Sequence, residues 1–497
     1  MVLVPVGLIL FLLLFYTEEN WRGAHAWEQA KANIKAQGET LDPTKFIPVP
    51  VPDAENFGAL PYFKVVSVSG GIGGVQLRRF VISQTLKPFA DNIAYSPKDS
   101  LSDGKLPFLG NWQKAQPPDP HNFAGRMVAF LKLHQLGVGI ESDTSPFEIF
   151  ARACPVMAKL RAAEQTHPQC LFQEPIDYRE PWKQSFGTDA SLLSLNKTLL
   201  YDAQLAMWSH HPDVALEDFR VGWKIASGVQ KRPFYVSNLV ATGMVAMQLR
   251  VIQQSLATHV WNDEQLKAMD GDLNKLDYLA QSRHQVNGEI ACYSLPMIDF
   301  YAMHRGKWSK DVNLLALMFG DDNDWRGRAF QATYLLIPRG WFDLAKAYEA
   351  KRKVESLRRI DLTSHQIHPG TDPEKSADPA IRWLDFILPD PNLIGDIEKH
   401  IAYAQVQLDE ARIACRLERY HLVHQKYPST LNEIMSDYGP LPKDLINGQP
   451  YHYRLIAPQK YLLYSVGWNQ MDDHGDAGNV RTWKSPDWIW TNYPDQK

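Results

Sequence analysis

From about residue 123 to 365, apolar residues recur at helical spacing between short polar turns, and this decides the fold class. HNFAGRMVAFLKLHQLG and SPFEIFARACPVMAKLRAAEQT read as two helices. Leu193 to His210 places Leu195, Leu199, Ala203 and Ala206 on one face, and Pro212 with Asp213 signals the start of the next helix. Phe234 to Trp261 is apolar on most sides, which predicts a central helix, and WNDEQLKAMDGDLNKLD opens on an Asn/Asp cap. The expectation is a mainly α fold with a helix-hairpin, solenoid-like body. No fixed-period repeat accompanies it.

The flanks differ. Val2 to Tyr16 is an uncharged apolar run of ~15 residues, close to the ~20 that span a bilayer. Lys and Arg are absent before Arg22, so the basic region of a cleavable signal is missing, although Ala24-His25-Ala26 matches a small-x-small site. Residues 1–17 are therefore expected to be an uncleaved membrane helix, single-pass in the inner (cytoplasmic) membrane, with the bulk of the chain extracytoplasmic. Residues 18–60 form a lead-in: a helix over Asn20 to Gln37, then FIPVPVPDAENF (Phe46 to Phe57), where alternating Pro forbids a helix. Residues 61–122 form a mixed region containing a hairpin around Gly70 to Gly74, whose glycines do not match a dinucleotide fingerprint.

Residues 366–397 read as a polar connector, and residues 398–497 as a small α+β module. In the module a helix over His400 to Tyr420 precedes an antiparallel pair in QPYHYRLIAPQKYLLYSVGWN, with Asn447-Gly448 and Ala457-Pro458 as turns. DWIWTNYP supplies a last short strand. The chain has 15 Trp, and four of them (Trp468, Trp483, Trp488 and Trp490) crowd this end, where a small sheet would use them as its core.

ENWRGAHAWEQAKANIKAQGETLD, FIPVPVPDAENF, FYVSNLVATGMVAMQL, IPRGWFDLAKAYE and the C-terminal YPSTLNEI to DWIW stretch together resemble a family of large, membrane-anchored bacterial proteins without an assigned activity. That resemblance implies architecture alone. The C-terminal module is similar to the globular domain of a type II secretion major pseudopilin, which implies a helix leading into a small sheet and an acidic loop holding calcium. The chain departs from a pseudopilin at its start: Val2 to Tyr16 carries no carboxylate, and several hundred residues separate it from the module.

Asp472, Asp473 and Asp476 follow the predicted strand ending at Val466, and Asp487 lies close beyond them. Calcium takes six to eight hard oxygens, so these four, with Asn469 or Asn479, are the metal candidates. Ala477 and the missing Glu exclude an EF-hand. Asp321-Asp322-Asn323-Asp324 before Trp325 reads as a helix-start loop. His210, His211, Asp213 and Glu217, and likewise His421 and His424 beside Glu418, read as surface groups at helix ends, because neighbours on a chain diverge. Four cysteines, Cys154, Cys170, Cys292 and Cys415, allow three pairings. No H-E-x-x-H, G-x-S-x-G or P-loop occurs, and a net charge of -4 gives no global case for nucleic acid.

These observations favour a non-enzymatic, membrane-anchored scaffold whose partners are proteins of the cell envelope, with membrane contact through the N-terminal helix and no nucleic acid. The alternatives are an envelope-polymer hydrolase with a site in the helical body, and a component associated with a type II secretion or pseudopilus machine.

Overall fold

The computed structural model describes residues 3–69, 76–82, 120–134, 144–172, 187–303, 336–370, 378–384, 391–478 and 481–493. These residues are mostly helical, with a small antiparallel sheet near the C-terminus.

The predicted membrane helix and the helix after it are one element, α1 (Leu3–Ala36). Nothing interrupts it, because Thr17 to Asn20 is polar but holds neither Pro nor Gly. The Pro-rich lead-in lies on the body and is pinned by Asn56, which is fully buried. The Asn56 amide donates to the Leu171 carbonyl, and its oxygen accepts from the amides of Leu171 and Gly58. Strands β1 (Phe63–Ser69) and β2 (Gln76–Ile82) pair antiparallel as the predicted hairpin requires. Its glycine turn, Gly70 to Gly74, lies outside the described residues.

The body begins with α2 (Pro120–Leu133), α3 (Pro146–Ala153) and α4 (Val156–Thr166). A capping box between Ser145 and Glu148 starts α3, and Cys154-Pro155 ends it. Next come α5 (Gly187–Trp208), α6 (Pro212–Gln230) and α7 (Tyr235–Leu256), packed on one another in sequence order. Leu195, Leu199, Ala203 and Ala206 are buried, as their spacing predicts. Helix α7 is long and apolar enough to cross a membrane, yet 61% of its most apolar window is buried within the protein, which marks a core helix. Its Gln248 donates to Asn196 at 2.7 Å, and Gly222 of α6 leaves the room, since a β-carbon there would lie 1.8 Å from the Gln248 nitrogen.

Helix α8 (Asp263–Leu273) is capped by Asn262 and Gln265, and α9 (Tyr278–Glu289) by Asp277. A π-helical turn, Ile290–Ser294, joins α9 to α10 (Leu295–Met303). Helix α11 (Arg339–Leu357) then packs along α1. There Gly23 meets Gly340 backbone to backbone: a β-carbon on Gly23 would sit 1.9 Å from the Gly340 carbonyl oxygen. Asn20 accepts from the Gly340 amide, and Glu19 from the Trp341 indole, both at 2.8 Å.

A two-residue pair, β3 (Ile360–Asp361) and β4 (Gln366–Ile367), follows, then α12 (Pro379–Trp383) and α13 (Pro391–His424). The connector expected over 366–397 thus contains β4, α12 and the first turns of α13, and the boundary expected at Glu398 falls inside a 34-residue helix. Helix α14 (Leu431–Tyr438) and strands β5 (His452–Ala457), β6 (Lys460–Ser465) and β7 (Trp488–Thr491) complete the chain. The strands run antiparallel in the order β5-β6-β7, with the turn at Pro458-Gln459, and Trp488 and Trp490 are buried in their core.

Helix α13 packs on α7, α8 and α9 as well as on β6 and β7. One hydrophobic cluster therefore runs from Phe57 through the body to Trp490. This long-range return departs from a solenoid, in which each unit touches only its neighbours.

Candidate functional site

A cavity of about 530 Å³ lies where the C-terminal half of α7 meets α13 and the sheet. That size is ordinary for a small-ligand site. Helix α7 contributes Arg250 and Gln253, and α13 contributes Tyr403 and Gln407. The β5–β6 turn and the strand β7 region add Lys460, Arg481, Trp490 and Tyr493. Among the described residues lining it there are three permanent cations and no carboxylate.

The wall is braced. Gln253 donates to the Thr491 carbonyl at 3.0 Å, Arg481 to the Thr491 hydroxyl at 3.3 Å, and Asn492 to the Gln459 carbonyl at 3.0 Å. Burial pushes the Tyr403 phenol up to about 12, so the wall adds no negative charge there at neutral pH. Two lining groups lack a hydrogen-bond partner: the indole N–H of Trp490 and the side-chain oxygen of Gln407. Trp490 is 3% exposed, so its N–H is a desolvated donor, which a bound acceptor would satisfy.

His259 lines the cavity just beyond α7, at a backbone φ of 55°. Its Nδ1 lies 2.5 Å from Oε1 of Glu418 on α13, and this bond raises the imidazole above its ordinary value. The other Glu418 oxygen accepts from the Tyr427 hydroxyl at 2.7 Å. His421, one turn along α13, stacks on His259 with ring centroids 4.4 Å apart. Ligand atoms of His259, Glu418 and His421 all lie within 4.8 Å of one another.

This cluster differs from the expectation that His421 is a surface group. It is buried, whereas His424, three residues on, stacks on Tyr420 without joining the cluster. Glu418 and His421, at i and i+3, carry a sequence signal for a shared face. His259 carries none, because only the fold brings α7 against α13.

The acidic loop is ordered by its own hydrogen bonds. Asp472 accepts from the Tyr464 hydroxyl at 3.1 Å and the His474 amide at 2.9 Å. Asp473 accepts from Asn469 at 2.7 Å, and Asp476 from the Gly478 amide at 2.8 Å. Asp487 is fully buried; its carboxylate accepts from the Gly475 amide at 2.7 Å and is also faced by the Asp473 amide. Burial raises the Asp487 carboxyl, as do nearby Asp473 and Asp472. The four carboxylates do not form a group with ligand atoms within 4.8 Å. Asn479 lies outside the described residues, as does the Asp321 to Trp325 cluster.

His210 and His211 are exposed at the α5–α6 junction, with His211 against Phe147. The cysteines are four buried free thiols, and burial raises each of them, Cys170 to about 12. The chain matches no protein family, curated protein or solved structure with which it was compared.

Proposed function

We propose that this chain is a non-enzymatic, membrane-tethered binding protein of the cell envelope, and that the cavity between α7, α13 and the sheet receives an anionic group carried by a partner. The observation that carries this reading is the charge of the wall: Arg250, Lys460 and Arg481 around about 530 Å³, with no carboxylate among the described lining residues. Cations in a partly dry cleft focus a positive potential onto whatever enters. Tyr403, Trp490 and Tyr493 add flat apolar surface, and the Trp490 N–H adds a donor for an anion's oxygen.

Tethering is supported by the first half of α1. Its side chains from Leu8 to Leu14 are each at least 43% exposed, so apolar surface faces outward on every side. Surface of that kind is buried by a bilayer or by another protein. Calcium in the acidic loop forms a structural part of the proposal, favoured by Asp472 and Asp473 lying near enough to Asp487 to raise its carboxyl, a crowding of negative charge that a cation would relieve.

The test is calorimetric titration of the detergent-solubilised chain with a short oligo-glutamate peptide and, separately, with pyrophosphate. Arg250→Ala with Lys460→Ala should weaken binding by roughly tenfold or more, and added salt should weaken it further. Both substitutions are on exposed residues, so folding should be preserved. Affinity that ignores both substitutions would sink the proposal.

A further inference from the structure

We infer that His259, Glu418 and His421 form a binding site for a zinc-like divalent transition metal, with an open coordination position toward the cavity. The inference stands independently of what the cavity holds.

Gln459 fixes the tautomer of His421. Gln459 donates its amide N–H to the Gln425 carbonyl at 2.8 Å, which leaves its oxygen facing His421 Nε2 at 2.6 Å. Nε2 therefore carries a proton, and in the neutral ring Nδ1 presents a lone pair. That Nδ1 is buried and has no hydrogen-bond partner. A buried acceptor left unmatched, on a ring grouped with a carboxylate and a second imidazole, is suited to a cation and poorly suited to a dry interior.

The outer contacts also match a metal site. Ligating histidines donate their other N–H to a fixed acceptor, and ligating carboxylates accept a second hydrogen bond. Gln459 fills the first role for His421, and the Tyr427 hydroxyl fills the second for Glu418. Two imidazoles and one carboxylate are a set that zinc accepts, and three protein ligands leave a fourth position for water or a ligand group.

Without an ion, His259 Nδ1 donates its proton to Glu418 Oε1, the acceptor-only partner, at 2.5 Å. Metal binding would displace that proton and draw both atoms to one centre. The rings of His259 and His421 are now parallel to within 12°, so one of them must turn. His259 is the one able to, since it sits on a loop with its side chain 39% exposed, while Glu418 and His421 are held in the core. Because His259 and Gln459 also line the cavity, the open position faces the space where the anionic group would sit.

The experiment uses the full chain in detergent, stripped with EDTA and dialysed against Zn²⁺, with bound metal measured by mass spectrometry. Co²⁺ absorption then reports the coordination number. The parent and His424→Ala should each hold about one equivalent in a four- or five-coordinate site. His259→Gln and Glu418→Gln should lower that affinity by at least tenfold. His259→Gln should keep the circular dichroism and melting behaviour of the parent, which separates loss of a ligand from loss of the fold. A parent that holds no metal overturns the inference. So does a His259→Gln chain that holds as much as the parent, or metal that leaves with His424 instead.

Discussion

Asp409 lies on α13 with its carboxylate fully out of water and only long contacts around it. Gln405 and the Tyr451 hydroxyl are each at 3.4 Å, and Arg412 is at 3.5 Å. Burial pushes its carboxyl up to about 6, against the opposing pull of Arg412 and His365. Because the folded value exceeds the unfolded one, the native state binds the extra proton between ~3.9 and ~6. Stability from this group is therefore greatest at the acid end and falls as pH rises through that window. Asp409→Asn should remove the slope: between pH 4 and pH 6.5, urea unfolding should show the parent losing up to about 3 kcal/mol more than the variant. Equal slopes would show that Asp409 does not titrate this way. Nothing in the sequence distinguishes this aspartate from an exposed one, because its burial comes from the sheet folding over α13. His259 was hidden by another long-range contact, that of α7 with α13. The cap at Asn262 and the start at Pro212 were legible because helix ends are written in adjacent residues.

At the scale of elements, α1 has two halves with different environments. Its apolar half touches the described body only near its end, where the Tyr16 hydroxyl donates to the Leu336 carbonyl. Its second half is locked to α11 through Gly23 and Gly340, with Ile34 packed on Ala350 and Val354 further along. Deleting Val2 to Tyr16 should therefore move the protein to the soluble fraction with its helical content intact. Gly340→Leu should do the reverse: the chain stays in the membrane fraction, but α1 and α11 are forced apart at a cost of about 2–4 kcal/mol. Fractionation combined with a thermal melt reads both. A deletion that remains membrane-bound would reveal a second attachment. The amphipathic periodicity of Asn20 to Gln37 showed a helix, but its continuity with the apolar run showed only in the structure, since no breaker lies between them.

Across the whole molecule, the body and the C-terminal sheet share one hydrophobic cluster, and α13 belongs to both. Strand alternation made the sheet legible, and helical spacing made the body legible. Their union was not legible, because contacts between distant segments leave no periodic trace. The chain should accordingly melt in one transition. If calcium occupies the acidic loop, it should raise that shared transition as followed by helical signal, and Asp472→Ala with Asp473→Ala should abolish the rise. A calcium-insensitive melt removes the site, and a calcium shift confined to the sheet's tryptophan signal breaks the single core.

The glycine crossing has a mechanical consequence. A tether of flexible chain fixes only how far a domain strays, whereas here the second half of α1, roughly 30 Å of helix, is clamped along the body. With the first half seated in a bilayer, the tilt of α1 sets the tilt of everything attached to it. The cavity would then keep a constant height and compass bearing above the lipid surface. A partner anchored in the same plane would meet its opening in one pose, sparing much of the orientational search that slows free encounters.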